Sequence, residues 1–150
     1  MRLLTAGSLV RAQQGEPLFL FWWGFALSGI VFLSNDRKKA LLVRFCDAYK
    51  SILSKHSLFS TYTLSYLIGE IGIDVTPLLD DDVSGYQQVI SKIYCKEVNL
   101  VIFFKDTFSA PVNPHLECEL FRVCDLHNVP YATNLATAEI LLSALCLGKC

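Results

Sequence analysis

Past residue 28 the chain alternates short apolar runs with stretches whose apolar residues recur every three or four positions. Ile30-Val31-Phe32-Leu33 reads as a buried strand, and Ser34-Asn35-Asp36 as a turn with a helix cap. From Lys38 to Leu53 the spacing puts Leu41, Leu42, Phe45, Tyr49, Ile52 and Leu53 near one helical face. Leu58 to Thr61 is a second strand, and Tyr66 to Ile71 a short helix stopped by Gly72. Val75 to Leu79 is a third strand, confined by Pro77 to a sheet edge. Gln87 to Lys96 reads as helix, and Leu100-Val101-Ile102-Phe103-Phe104 as a central strand, continuously hydrophobic. A loop over 105–114 follows, carrying Pro111 and Pro114. Then come a helix from His115 to His127 (Leu116, Leu120, Val123 and Cys124 on one side), a strand from Val129 to Ala132, and a closing helix from Thr137 to Leu147 ended by Gly148. There are no internal repeats.

Strands alternating with helices predict a three-layer, doubly wound α/β domain with a mostly parallel sheet. Such sheets bind ligands at the C-terminal ends of their strands. The polar residues there are Asn35, Asp36 and Lys39; Thr61 and Thr63; Asp80 to Gln88; Asp106; and Thr133, Asn134 and Thr137.

Leu18 to Leu33 is almost wholly apolar, with Arg2 and Arg11 upstream. It is shorter than the roughly 20 residues of a membrane span, and no small-x-small cleavage site stands out. The preferred reading makes Gly29 to Leu33 the first strand, with residues 1–27 an N-terminal extension and 28–150 the domain. A membrane tether through 18–33 is the competing reading.

Composition narrows the picture. At 53% hydrophobic and 18% charged residues, the chain suits a sheet covered on both faces. A net charge of −1, with no basic patch interleaved with aromatics, excludes a nucleic-acid binder. Cys46, Cys95, Cys118, Cys124, Cys146 and Cys150 include no CxxC pair and no zinc-finger spacing, and read as small buried thiols in a reducing cytoplasm. No metal or cofactor is expected. His56 and His127 read as surface residues at helix ends.

Asp80-Asp81-Asp82-Val83-Ser84-Gly85-Tyr86-Gln87-Gln88 joins two opposed signals. Its second half reads as a loop entering a helix, where free N–H groups and the helix dipole suit an anion. Its first half is three carboxylates, readable as a solvated loop with a helix cap, as a cation site, or as a base at Asp82.

Four segments resemble the methylglyoxal synthase family across roughly residues 29–145: Asp36-Arg37-Lys38-Lys39, Gly85-Tyr86-Gln87-Gln88-Val89, Val101 to Asp106, and Pro130-Tyr131-Ala132-Thr133-Asn134-Leu135-Ala136-Thr137-Ala138. The resemblance implies a homohexamer whose substrate is dihydroxyacetone phosphate. A carboxylate removes a proton beside the carbonyl, and phosphate leaves from the resulting enediolate. It further implies catalytic roles for Asp36, Asp106 and the base position, here Tyr86. Lys39, Thr61, Thr63, Gly85, Gln87 and Asn134 would bind substrate or phosphate.

The departures from the family pattern fall on the chemistry. Tyr86 stands in place of the Asp base, and its phenol ordinarily titrates near 10. Asn35 and Asn113 stand where His is usual, and Leu116 where an Asp follows, with His115 close by. Tyr62, Leu64 and Ser65 replace Gly, Thr and Gly of the phosphate loop, and Asp80 and Asp81 replace Ser-Gly. The family's C-terminal basic residue falls in a segment beyond Cys150. A carboxylate about 4 Å from a phosphate oxygen repels it by roughly 1 kcal/mol in water and about 4 at an effective dielectric of 20. That offsets much of what a lysine and a helix start contribute. The expectation is therefore weak or absent synthase activity, with a non-catalytic metabolite-binding or regulatory domain of the same fold as the alternative.

Overall fold

The computed structural model describes residues 29–78 and 82–147. The extension 1–27 and Asp80–Asp81 lie outside them. Five strands form one sheet: β1 (Gly29–Ser34), β2 (Ser57–Thr61), β3 (Thr76–Leu78), β4 (Leu100–Phe104) and β5 (Tyr131–Ala132). Their order is β3-β2-β1-β4-β5, and every pairing is parallel. Six helices cover it: α1 (Lys39–Ala48), α2 (Lys50–Leu53), α3 (Tyr62–Glu70), α4 (Asp82–Tyr94), α5 (Pro114–Leu126) and α6 (Leu135–Leu147). This is the expected doubly wound α/β fold, and it is parallel throughout the described residues.

Strand side chains alternate between two cores. Ile30, Phe32, Leu100, Ile102 and Phe104 face one layer, where they meet Leu42 and Phe45 of α1, Leu64 and Ile68 of α3, and Leu142 of α6. Val31, Leu33, Val101 and Phe103 face the other, against Val89 and Ile93 of α4 and Leu120 and Val123 of α5. With both faces covered, β1 and β4 need continuous apolar sequence, and β4 is fully buried. The tail of the apolar run 18–33 is thus a central strand, as preferred above, and among the described residues no helix is long and apolar enough to cross a membrane.

β1 enters the sheet at Gly29. Its N–H donates to Asn99 Oδ1 (3.1 Å), and its carbonyl accepts from the Asn99 N–H (2.8 Å). A Cβ here would stand 1.9 Å from the Glu97 carbonyl oxygen, so glycine is required by close backbone approach. Gly72 ends α3 with φ +86°, the left-handed cap expected of it.

Several expectations need correction. The helix after β1 starts with a 3-10 turn (Asp36–Lys38) and breaks at Tyr49. α3 begins at Tyr62, four residues early, and α4 at Asp82, five early. Cys95 and Cys118 are exposed, while Cys46 and Cys124 are buried and desolvation pushes both thiols up to about 12. His56 is buried at 7% exposure between α2 and β2, since the helix end turns it inward. His127 is half-buried, edge-on to Tyr94 at 4.7 Å, with Nε2 enclosed and lacking a hydrogen bond.

Candidate active site

The strand order reverses direction between β1 and β4, and the crevice of a doubly wound sheet opens at the C-terminal ends of those strands. Asn35 leaves β1 there, and Lys105 and Asp106 leave β4. The Asn35 N–H donates to the Phe104 carbonyl (3.2 Å), and Asn35 Oδ1 accepts from the Asp106 N–H (2.7 Å). The side chain of Asn35 thus extends the β1–β4 ladder beyond the last pair and fixes where the loop starts.

Asp106 organises that loop. Oδ1 accepts from the Phe108 N–H (3.1 Å), Oδ2 accepts from the Ser109 hydroxyl (2.6 Å), and Arg37 Nε lies 3.8 Å from Oδ2. The carboxylate is buried, with a side-chain exposure of 4%. The Ser109 and Phe108 hydrogen bonds, assisted by Arg37 and Lys38, outweigh desolvation and hold its pKa below the usual 3.8. Asp106 is therefore ionised at neutral pH, with both oxygens engaged.

A lowered folded pKa contributes stability above the unfolded value and loses it as pH falls through the folded one. Asp106→Asn should accordingly lower the thermal midpoint by a constant amount from roughly pH 5 to 7, with the gap closing below about pH 4. Midpoints measured against pH check this. A gap that persists undiminished to about pH 2 would rule out the assigned ionisation.

Asp36 is highly exposed and sits 2.7 Å from Lys39 Nζ. Hydrogen bonding to Lys39, then its charge, lowers the Asp36 pKa. Asp36 makes no cap bond to the helix. Asp36 and Asp106 thus stand in separate ion pairs, one with Lys39 and one with Arg37.

Thr61 takes the N-cap position of α3 in extended conformation without a side-chain cap bond, and Thr63 lies in the first turn. The expected phosphate loop is therefore a helix start at the end of β2, with backbone donors at that point of the chain. At β5, Asn134 Oδ1 accepts from the Thr137 N–H (3.0 Å) and hydroxyl (3.1 Å), capping α6. Asn113 caps α5 in the same way, through Leu116 N–H (3.1 Å). His115 is exposed.

Gly85 and Tyr86 lie inside α4, not in the loop before it. Gly85 is buried, Gln87 is exposed, and Tyr86 is half-buried. The Tyr86 ring stacks on Phe103 (centroids 6.0 Å apart, planes 21°). Phe103 in turn touches Phe121 (6.0 Å), and Phe121 touches Tyr131 (4.7 Å). Four aromatic rings thus run from α4 across β4 and α5 to β5.

Sequence reasoning passed over one pair. Lys105 Nζ forms an ion pair with Glu117, whose side chain is 7% exposed, and lies over the Phe121 ring at 5.4 Å. The signal was present: Glu117, Leu120 and Cys124 share one buried stripe of α5, and an acid on an apolar stripe needs a partner.

Among the described residues no group of three or more His, Cys, Asp or Glu could hold a metal. A groove of about 310 Å³ opens between the end of α5, β5 and α6. Its lining includes Asp125 and Tyr131 but no Lys or Arg, so the switch point is the better anion site.

No protein-family model matches the chain. Curated relatives do. Methylglyoxal synthase of Caldicellulosiruptor saccharolyticus is 45% identical over 121 residues, covering 79% of this chain and 85% of the relative. Methylglyoxal synthase of Lysinibacillus sphaericus is 42% identical over 118 residues, covering 77% and 87%. The crystal structure of methylglyoxal synthase from Elizabethkingia anophelis NUHP1 superposes with a TM-score of 0.71 at 32% identity, covering 77% of each chain.

Proposed function

The chain belongs to the methylglyoxal synthase family, and on that premise we propose that it binds a small phosphorylated ketone of the dihydroxyacetone phosphate class at the β1/β4 switch point, with synthase turnover at least about 10²-fold below that of its relatives. The observation that carries this reading is the seat of Tyr86. Where the family resemblance expects a carboxylate base, a phenol ring lies packed on Phe103. A group that ordinarily titrates near 10 holds its proton at neutral pH and takes none from carbon.

Neither Asp106 nor Asp36 supplies the base. Asp106 is spent on Ser109 and Phe108, and Asp36 on Lys39. Both pKa values are lowered, and a weaker base transfers protons less effectively. Binding is better supported than chemistry. Lys39, the first turn of α3 and the Asn134 loop follow β1, β2 and β5 at the C-terminal edge of the sheet, and the backbone donors of a helix start suit a phosphate group. The Tyr86 stack favours, as a second reading, a domain that binds a metabolite without converting it. Under either reading the protein works in the cytoplasm as a homo-oligomer, a state supported by the exposed Phe108 and Val112 on the loop beside the site.

The test is methylglyoxal release from dihydroxyacetone phosphate by the purified chain, run beside the Caldicellulosiruptor saccharolyticus relative. A deficit of about 100-fold or more is expected. Equal turnover would end the proposal. Calorimetry with dihydroxyacetone phosphate then separates a weak enzyme from a binding domain.

A further inference from the structure

Lys105 is the first residue beyond β4, one position before the Asp106 that Asn35 anchors. Its side chain turns to the sheet face covered by α4 and α5, the face that holds Tyr86 and Phe103. Lys39 begins α1, which packs on the opposite face. The two lysines thus follow the two strands of the switch point, β1 and β4, on elements that serve opposite faces of the sheet. The ends of β1 and β4 carry Arg37, Lys38, Lys39 and Lys105 beside Asp36 and Asp106.

Glu117 is an unusual choice for its position. An apolar residue on the buried stripe of α5 would pack there without desolvating a charge, and buried ion pairs are often no more stable than apolar replacements. What the pair adds is an ammonium held at a fixed place beside the crevice. The side chain of Lys105 stays 33% exposed, so an anion arriving from solvent can reach it. Glu117 lies in the first turn of α5, where the helix dipole also stabilises its charge. It can therefore share or release the ammonium without being left wholly uncompensated.

We propose that Lys105 is a further anion-binding residue of this site and that Glu117 is a positioning residue which holds its ammonium and competes with the ligand for it. The proposal rests on the phosphate-binding reading above and deepens it: the ligand's anionic group meets a second cation beyond Lys39. Competition gives Glu117 a signature that a purely structural residue lacks. Removing its charge strengthens anion binding.

The experiment is calorimetric titration of the full chain with inorganic phosphate. Glu117→Gln should bind phosphate about threefold more tightly than the parent, and the double variant Lys105→Met/Glu117→Gln about fivefold more weakly. The double variant removes the ammonium without orphaning the carboxylate, so folding is kept. Lys105→Arg, which keeps the charge, should stay close to the parent. The proposal is overturned if the double variant binds within about twofold of the parent, or if Glu117→Gln fails to tighten binding. Lys39→Ala tells the two levels apart. If it abolishes phosphate binding while the double variant binds within about twofold of the parent, the Lys105 assignment alone fails. If the parent itself binds no phosphate, the site reading fails with it.

Discussion

Tyr86→Asp is expected to raise methylglyoxal release from dihydroxyacetone phosphate by about 10²-fold or more, within the 10²–10⁴ that a positioned general base contributes. Aspartate ordinarily titrates near 3.9, so it is ionised at neutral pH where the phenol is not. Partial burial at this position pushes a carboxylate upward, toward the range where a base is most effective. The substitution also removes the ring from Phe103, a contact worth about 0.5–1.5 kcal/mol beyond its buried area. Tyr86→Asn is the matched control, since it loses the same ring and gains no base. If the two variants turn over equally, the base position is not at residue 86.

Lys105→Met alone should destabilise the fold by about 3 kcal/mol, the lower end of the range for breaking a buried ion pair. The cause is not the lost attraction but the Glu117 carboxylate left in an apolar stripe with only the start of α5 to stabilise it. Adding Glu117→Gln should recover most of the loss. Denaturant unfolding of the two single variants and the double gives the coupling between them. A Lys105→Met cost below about 1 kcal/mol would mean that water already solvates the pair.

What could be read in advance followed from locality. β4 was legible to its last residue because a strand buried on both faces is written as an unbroken apolar run. The starts of α3 and α4 were not. Thr61 to Ser65 is Ser, Thr and Tyr apart from Leu64, residues with modest helix propensity. Burial of Leu64 and Ile68 against the sheet drives the helix back to Tyr62. Gly85 likewise reads as a turn, yet it is buried inside α4.

The candidate site was legible as a set of strand ends, because topology fixes where those ends gather. Its internal pairing was hidden. Lys105 with Glu117, Asn35 with Asp106 and Tyr86 with Phe103 are contacts between separate elements, and no periodicity encodes them. The departures at Asn35 and Asn113 look different once partners are known. Asn35 splices two strands and Asn113 caps a helix, so each amide has a structural task in this chain.

The place of β1 in the sheet has a consequence for how the chain reaches this state. β1 is first in sequence among the described strands and central in space, and its partner β4 arrives some 70 residues later, as the Gly29–Asn99 hydrogen bond measures. During synthesis β1 can pair with β2 early, but its other edge stays open until β4 has left the ribosome. Non-local parallel pairing is slow, because the intervening chain must close a long loop before any contact rewards it. A nascent chain halted before Leu100 would therefore present a bare edge of Ile30, Val31, Phe32 and Leu33, the stretch most prone to pair with another copy.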